Sequence, residues 1–164
     1  MAIIPVTSPS DIKTTAQLAH KIWNQHYVPI IGQEQVDYML EKIQSEEAIA
    51  HQISNGYSYF LLFYNGLPCG YLALVPDTAE AKMMLSKIYV DADFRGLHLG
   101  EQLLGTAIAE TQKICFKTLW LTVNRYNANS INWYQKHGFN IVKEVKIDIG
   151  NGFVMDDYVM EKIM

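Results

Sequence analysis

Cysteine is scarce in this chain: Cys69 and Cys115 are the only two in 164 residues. They show no C-x-x-C spacing and no histidine partners at zinc-ligand distance in sequence, which argues against a disulfide framework or a structural zinc site. Two buried free thiols in a reducing compartment are expected instead. Long hydrophobic runs are missing too. No stretch approaches the roughly 18 apolar residues of a membrane span, and Met1-Ala2-Ile3-Ile4-Pro5 lacks the basic start and apolar run of a secretion signal. A cytoplasmic protein with no membrane partner is expected. Positive charge is not in excess: 13 Lys and Arg stand against 17 Asp and Glu, a formal net charge of −4. That balance disfavours a nucleic-acid partner and suits a cationic one. His20, His26, His51, His98 and His137 show no metal-ligand spacing such as H-E-x-x-H, and no G-x-S-x-G elbow occurs. With no repeat, linker or low-complexity tract, residues 1–164 read as one domain.

The pattern that is present alternates between strand and helix signals. Ala2 to Val6 reads as a strand, and Ser8-Pro9-Ser10-Asp11 opens a helix carrying Ile12, Ala16, Ala19, Ile22 and Trp23 on one face. His26 to Gly32 reads as an apolar, aromatic loop. Two more helices follow, over Gln33 to Ile43 and from Ser45 to the Asn55-Gly56 stop. Tyr57 to Tyr64 and Pro68 to Val75 form a hairpin across Asn65-Gly66. Met83 to Val90 is the fourth strand, Leu99 to Ile114 a helix, Thr118 to Val123 a strand and Asn127 to His137 a helix. Phe139 to Ile149 and Phe153 to Ile163 close the chain around Asn151-Gly152. The order β-α-α-α-β-β-β-α-β-α-β-β predicts a mixed sheet of about seven strands flanked by helices, an α/β (α+β mixed) fold.

Between the fourth strand and its helix lies Asp91-Ala92-Asp93-Phe94-Arg95-Gly96-Leu97-His98-Leu99-Gly100-Glu101. A helix start offers unpaired N–H groups and the positive end of the macrodipole, a natural cradle for phosphate. Gly96 and Gly100 admit close backbone approach, and Arg95 adds positive charge. The stretch matches neither G-x-x-x-x-G-K-[ST] nor G-x-G-x-x-G.

Together with Val123-Asn124-Arg125-Tyr126-Asn127-Ala128-Asn129-Ser130-Ile131-Asn132-Trp133-Tyr134-Gln135-Lys136-His137-Gly138-Phe139, this stretch resembles the GNAT superfamily of acyl-CoA-dependent N-acetyltransferases. Its first motif, [Q/R]-x-x-G-x-[G/A], is met by Arg95 and Gly100, with His98 where glycine is usual. Its second, V-x-x-x-N-x-x-A-x-x-x-Y-x-x-x-G-F, is met with Ser130 replacing alanine. A weaker likeness points to polyamine-type acetyltransferases.

The resemblance implies acetyl-CoA as cosubstrate and no metal. The fourth and fifth strands would splay so that pantetheine pairs with the backbone of Ile88, Tyr89 and Val90. The N–H groups of Arg95, Gly96, Leu97, His98, Leu99, Gly100 and Glu101 would hold the pyrophosphate. Asn127 would bond the pantetheine arm, Lys136 would reach the nucleotide phosphates, and Tyr134 would be the general acid returning a proton to the thiolate. No acid lies on the fourth strand. The amine's proton could leave through water held by Ser86, or to Glu34, Asp37, Asp156, Asp157 or His26. Strand alternation lets at most one of Asp156 and Asp157 face the cleft. Tyr27 would belong to a lid. The expected acceptor is a small-molecule amine, cationic or a polyamine, held by Glu34, Asp37, Asp156 or Asp157; a homodimer is compatible with this reading. The alternatives are a protein N-terminal or lysine acetyltransferase, and a non-catalytic acyl-CoA-binding module.

Overall fold

The structure is a computed structural model describing residues 1–164. Its elements run β1 (Ala2–Pro5), α1 (Pro9–His26), α2 (Val28–Ile31), α3 (Gln33–Ile43), α4 (Glu46–Ser54), β2 (Ser58–Tyr64), β3 (Leu67–Asp77) and β4 (Lys82–Val90). They continue with α5 (Leu99–Lys113), β5 (Thr118–Asn124), α6 (Ala128–Lys136), β6 (Asn140–Gly150) and β7 (Phe153–Ile163). The segment read as a loop over His26 to Gly32 contains α2, a single turn with Pro29 at its second position, where a fixed φ suits a first helical turn. At α1 the expected start is present as a capping box. The Ser8 Oγ accepts from the Asp11 N–H at 3.1 Å, and the Asp11 carboxylate accepts from the Ser8 N–H at 3.1 Å.

All seven strands form one sheet in the order β1-β2-β3-β4-β5-β7-β6, antiparallel throughout except where β4 runs parallel to β5. Each face carries its own core. Leu72, Leu85, Leu103, Leu119 and Phe139 pack on the α5–α6 face, while Ile22, Trp23, Val36, Ile49 and Tyr71 pack beneath α1 to α4. A buried chain of hydrogen bonds stitches the second face. Trp23 Nε1 donates to the Tyr71 hydroxyl at 2.9 Å, Tyr71 to Gln44 Oε1 at 2.7 Å, and Gln44 Nε2 to the Tyr59 hydroxyl at 3.0 Å. Every buried polar side-chain atom finds a partner, so this core keeps its polar groups without an uncompensated desolvation cost. One thiol departs from expectation: Cys69 is buried, but Cys115 is exposed, in the turn between α5 and β5.

Two features of β4 shape the rest. Its register with β3 skips at Ser86, passing from Leu74 opposite Leu85 to Ala73 opposite Lys87. Such a bulge shifts the side-chain alternation by one residue. Met83 and Leu85 therefore face the α5 core before it, Ile88 and Val90 do so after it, and Tyr89 turns to the α1 side. In addition, β4 pairs with β5 only from Lys82 opposite Thr118 to Met84 opposite Trp120. From Leu85 onward its β5 side has no strand partner, so the sheet is open there.

Candidate active site

The opening between β4 and β5 is a cavity of ≈ 420 Å³. Ile88, Tyr89 and Val90 line it along the unpaired edge of β4, Arg95 and Gly100 stand at one end, and Asn127 and Tyr134 enter from the α6 side. Residues far apart in sequence are thereby brought to one wall.

The turn at its mouth is anchored by charge. Lys21 of α1 donates to Asp91 at 2.6 Å and to Asp93 at 2.8 Å, and the Asp91 carboxylate also caps the following 3-10 turn by accepting from the Asp93 N–H at 3.0 Å. The chain then passes through Gly96 at φ +78° and His98 at φ +56°. His98 thus occupies the left-handed region that the glycine of the motif would take without strain. Its ring makes a 2.8 Å contact with Glu101. No side chain caps α5, so the first N–H groups of this 15-residue helix remain free for a ligand. Leu99 contributes backbone only, since its side chain is in the α5 core, whereas Leu97 is exposed. Gly100 has a second constraint: a Cβ there would sit 3.3 Å from Trp133 Cζ2, where α6 crosses the start of α5.

Asn127 is buried, and its amide is already employed. Its Oδ1 accepts from the Ser130 N–H at 3.4 Å as the α6 cap, and its Nδ2 donates to His26 Nε2 at 3.0 Å. His26 is therefore an acceptor and neutral at that nitrogen; burial and the nearby Arg95 both lower its pKa. Tyr134 is held by ring contacts, with Trp133 at 5.4 Å and Phe139 at 5.5 Å. Burial raises its pKa further, keeping the phenol protonated. Tyr27 bonds hydroxyl to hydroxyl with Tyr89 at 2.9 Å, and burial pushes its pKa up to about 12.

Several expected residues fall outside the cavity. Glu34 and Asp37 are exposed on α3, where Asp37 accepts from Gln33 at 2.8 Å. Lys136 is exposed on α6 and absent from the cavity wall. Asp156 pairs with Arg125 at 2.7 Å. Asp157 turns the other way, as alternation requires, and is only 3% exposed. It stands behind the wall, with the Thr122 side chain nearby and Tyr27 coupled to it electrostatically, and burial lifts its pKa to about 6. Ser86 does line the cavity, beside a residue that sequence reasoning passed over, Lys87. Lys87 is 7% exposed, and burial alone lowers its pKa to about 8. A lysine in the middle of a largely apolar strand was the available signal, but only the bulge decides which face it joins. No group of His, Cys, Asp and Glu is arranged to hold a metal ion, and no helix is long and apolar enough to cross a membrane.

A mixed sheet parted between two parallel strands, with a free helix start at the parting, defines the fold of the acyl-CoA N-acyltransferases. Residues 18–139 match the acetyltransferase (GNAT) family, and the chain belongs to it. It is 34% identical over 96 residues to the ribosomal protein bS18-alanine N-acetyltransferase of Escherichia coli (strain K12), a match spanning 58% of this chain and 64% of that protein. Among solved structures, the PaiA N-acetyltransferase of Thermoplasma acidophilum in complex with coenzyme A shares the fold at TM-score 0.81 and 22% identity, over 100% of both chains. The ribosomal-protein-S18-alanine N-acetyltransferase of Escherichia coli shares it at TM-score 0.73 and 23% identity, over 99% of this chain and 92% of that one.

Proposed function

We propose that this protein transfers an acetyl group from acetyl-CoA directly to a primary amine, and that the acceptor is the α-amino group of a protein or peptide N-terminus. The observation carrying the first half is the shared wall: free α5 N–H groups, the unpaired β4 edge, Asn127 and Tyr134 all border one cavity. The β4 edge gives the pantetheine amides a strand to pair with, and the helix start and Arg95 suit a pyrophosphate. Acetyl-CoA supplies the activated acyl group. The chain's own residues orient the thioester along β4, exclude water with the Tyr27–Tyr89 pair, and hold a proton on Tyr134 for the leaving thiolate. Asp157, through the Thr122 hydroxyl on the wall, is the carboxylate best situated to draw off the amine's proton. Two free thiols fit a reducing, cytoplasmic setting.

The second half follows from charge. The carboxylates expected to hold a second ammonium, Glu34, Asp37, Asp156 and Asp157, do not line the cavity. A polyamine therefore loses the anchor it would need, while the names of the relatives favour an N-terminal acceptor. Thiol release from acetyl-CoA should be faster with short unblocked peptides than with spermidine, and Tyr134→Phe should lower kcat by about 10²-fold or more. Spermidine outrunning every peptide would refute the acceptor assignment; no thiol release with any amine would refute catalysis.

A further inference from the structure

Lys87 is a buried charge that the acetyl-transfer scheme leaves idle and that, unlike Asp91 with Lys21, has no ionic partner. Its side chain crosses Ala73, the residue opposite it on β3, and reaches toward Tyr59, the residue opposite Ala73 on β2. The ammonium lies 5.6 Å from the centre of the Tyr57 ring and 6.0 Å from that of Tyr59, and donates to Ser86 Oγ at 2.9 Å. These are neutral partners. No carboxylate lies within ion-pairing distance, and desolvation is the only influence on its titration. Burying a cation without a counter-ion is costly, and Ser86 with two ring faces compensates it only in part.

The cavity supplies what is missing. Both Lys87 and Ser86 line it, and no Asp or Glu does. The other cation on its wall, Arg95, belongs to the phosphate end. By strand rise, Lys87 is roughly 10 Å from Val90, where β4 turns toward that end. Lys87 also projects to the α1 side, whereas Ile88 and Val90 face the α5 core. A phosphate held at the α5 start is thus remote from it, and the anion it awaits must arrive with the other reactant.

We infer that Lys87 is the anion-binding end of the acceptor site, so that the preferred acceptor amine carries a carboxylate close beside it. This deepens the acetyl-transfer reading and rests on it. The same positive charge favours the neutral, nucleophilic form of an amine arriving nearby and repels acceptors with a second ammonium. Two sources fit the chemistry: an acidic side chain next to a peptide N-terminus, which agrees with the acceptor proposed above, and the carboxylate of a free amino acid, which would replace it.

The experiment compares isosteric acceptors by thiol release. An alanyl-aspartyl peptide amide is set against its alanyl-asparaginyl and alanyl-lysyl counterparts, and free alanine against alaninamide. The wild-type protein should favour the acidic member of at least one pair by roughly 10-fold or more in kcat/KM, the scale of one charge-assisted hydrogen bond; the pair that responds identifies the source. Lys87→Met should collapse that ratio toward unity, and Lys87→Arg should restore part of it. A role in packing alone would lower both members of a pair equally and leave the ratio intact, which would overturn the assignment. So would a wild-type ratio near or below unity in both pairs, a result that needs no variant to fold. Thiol release with neutral amines but no acidic preference rejects the role of Lys87 alone. Absence of thiol release with every acceptor rejects the transfer reading and this inference with it.

Discussion

Asp157 and Lys87 show how a folded chain moves ordinary side chains toward neutral pH. Burial dominates both: the carboxyl is lifted to about 6 and the ammonium is lowered to about 8. Each is the signature of a charge held in a poorly solvated place, and such places concentrate at functional sites. The arrangement costs stability. For Asp157 the folded state holds the proton more tightly than the unfolded chain, whose value is near 3.8. The penalty is therefore absent below pH about 4, grows as pH rises through the window up to about 6, and is complete above it. Asp157→Asn should accordingly be more stable than the wild type at pH 8, by about 2 kcal/mol, and equal to it near pH 3.5. Urea midpoints at the two pH values check this. If proton removal runs through Asp157, the same variant also loses the acidic limb of kcat/KM near pH 6.

Among the elements, β4 carries the most consequence. Its bulge at Ser86 turns Lys87 and Tyr89 to the α1 side, and its early separation from β5 opens the cavity. The separation is stabilised from outside the strand. At the far end, Asp91 is held by Lys21 of α1, and its N–H donates to the Cys69 carbonyl at 2.8 Å. On the β3 side the chains approach so closely that a Cβ on Gly70 would lie 2.8 Å from the Tyr89 carbonyl oxygen and 3.3 Å from Leu103 Cδ1. Gly70→Val must therefore displace β4 backbone rather than a pliable side chain. We expect a loss of about 2–3 kcal/mol and a weakened response to acetyl-CoA, because the displaced segment is the cavity wall. Denaturant unfolding with and without acetyl-CoA measures both. A stability loss with full ligand response would mean that β4 tolerates the shift.

At the scale of the molecule, the cavity lies where two cores meet at a gap in the sheet that divides them. Leu103 and Leu104 of α5 support it from one face, and Ile22 and Trp23 of α1 from the other. A ligand in the gap would link the two faces and complete the interrupted sheet. A molecule bound only by the folded state stabilises it by mass action, about 2.7 kcal/mol at a hundred times its Kd. Acetyl-CoA should therefore raise the Tm progressively with concentration, while adenine or free pantetheine alone should raise it less. A melting curve unmoved at saturating acetyl-CoA would remove the cavity as a cosubstrate site.

The elements and their order were legible in the chain because local rules decide them. Ser8 and Asp11 cap α1, Asn65-Gly66 turns a hairpin, and the 3.6-residue spacing of Leu99, Leu103, Leu104 and Ala107 buries one face of α5. The motif segments were legible as well, since both are contiguous, and they name Arg95, Gly100, Asn127 and Tyr134, all of which border the cavity. What sequence could not decide is which distant side chains share a wall. Glu34, Asp37, Asp157 and Lys136 had the right chemistry, but α3 and α6 face the first, second and fourth to solvent and β7 sets the third behind Thr122. The buried cation that borders the cavity, Lys87, owes its direction to a one-residue bulge on β4 and its room to Ala73 on β3. Local sequence specifies capping, turns and periodicity through neighbours along the chain. Desolvation and facing depend on strands brought together only in the folded sheet, and it is these that make a carboxyl and an amine of this chain unusual.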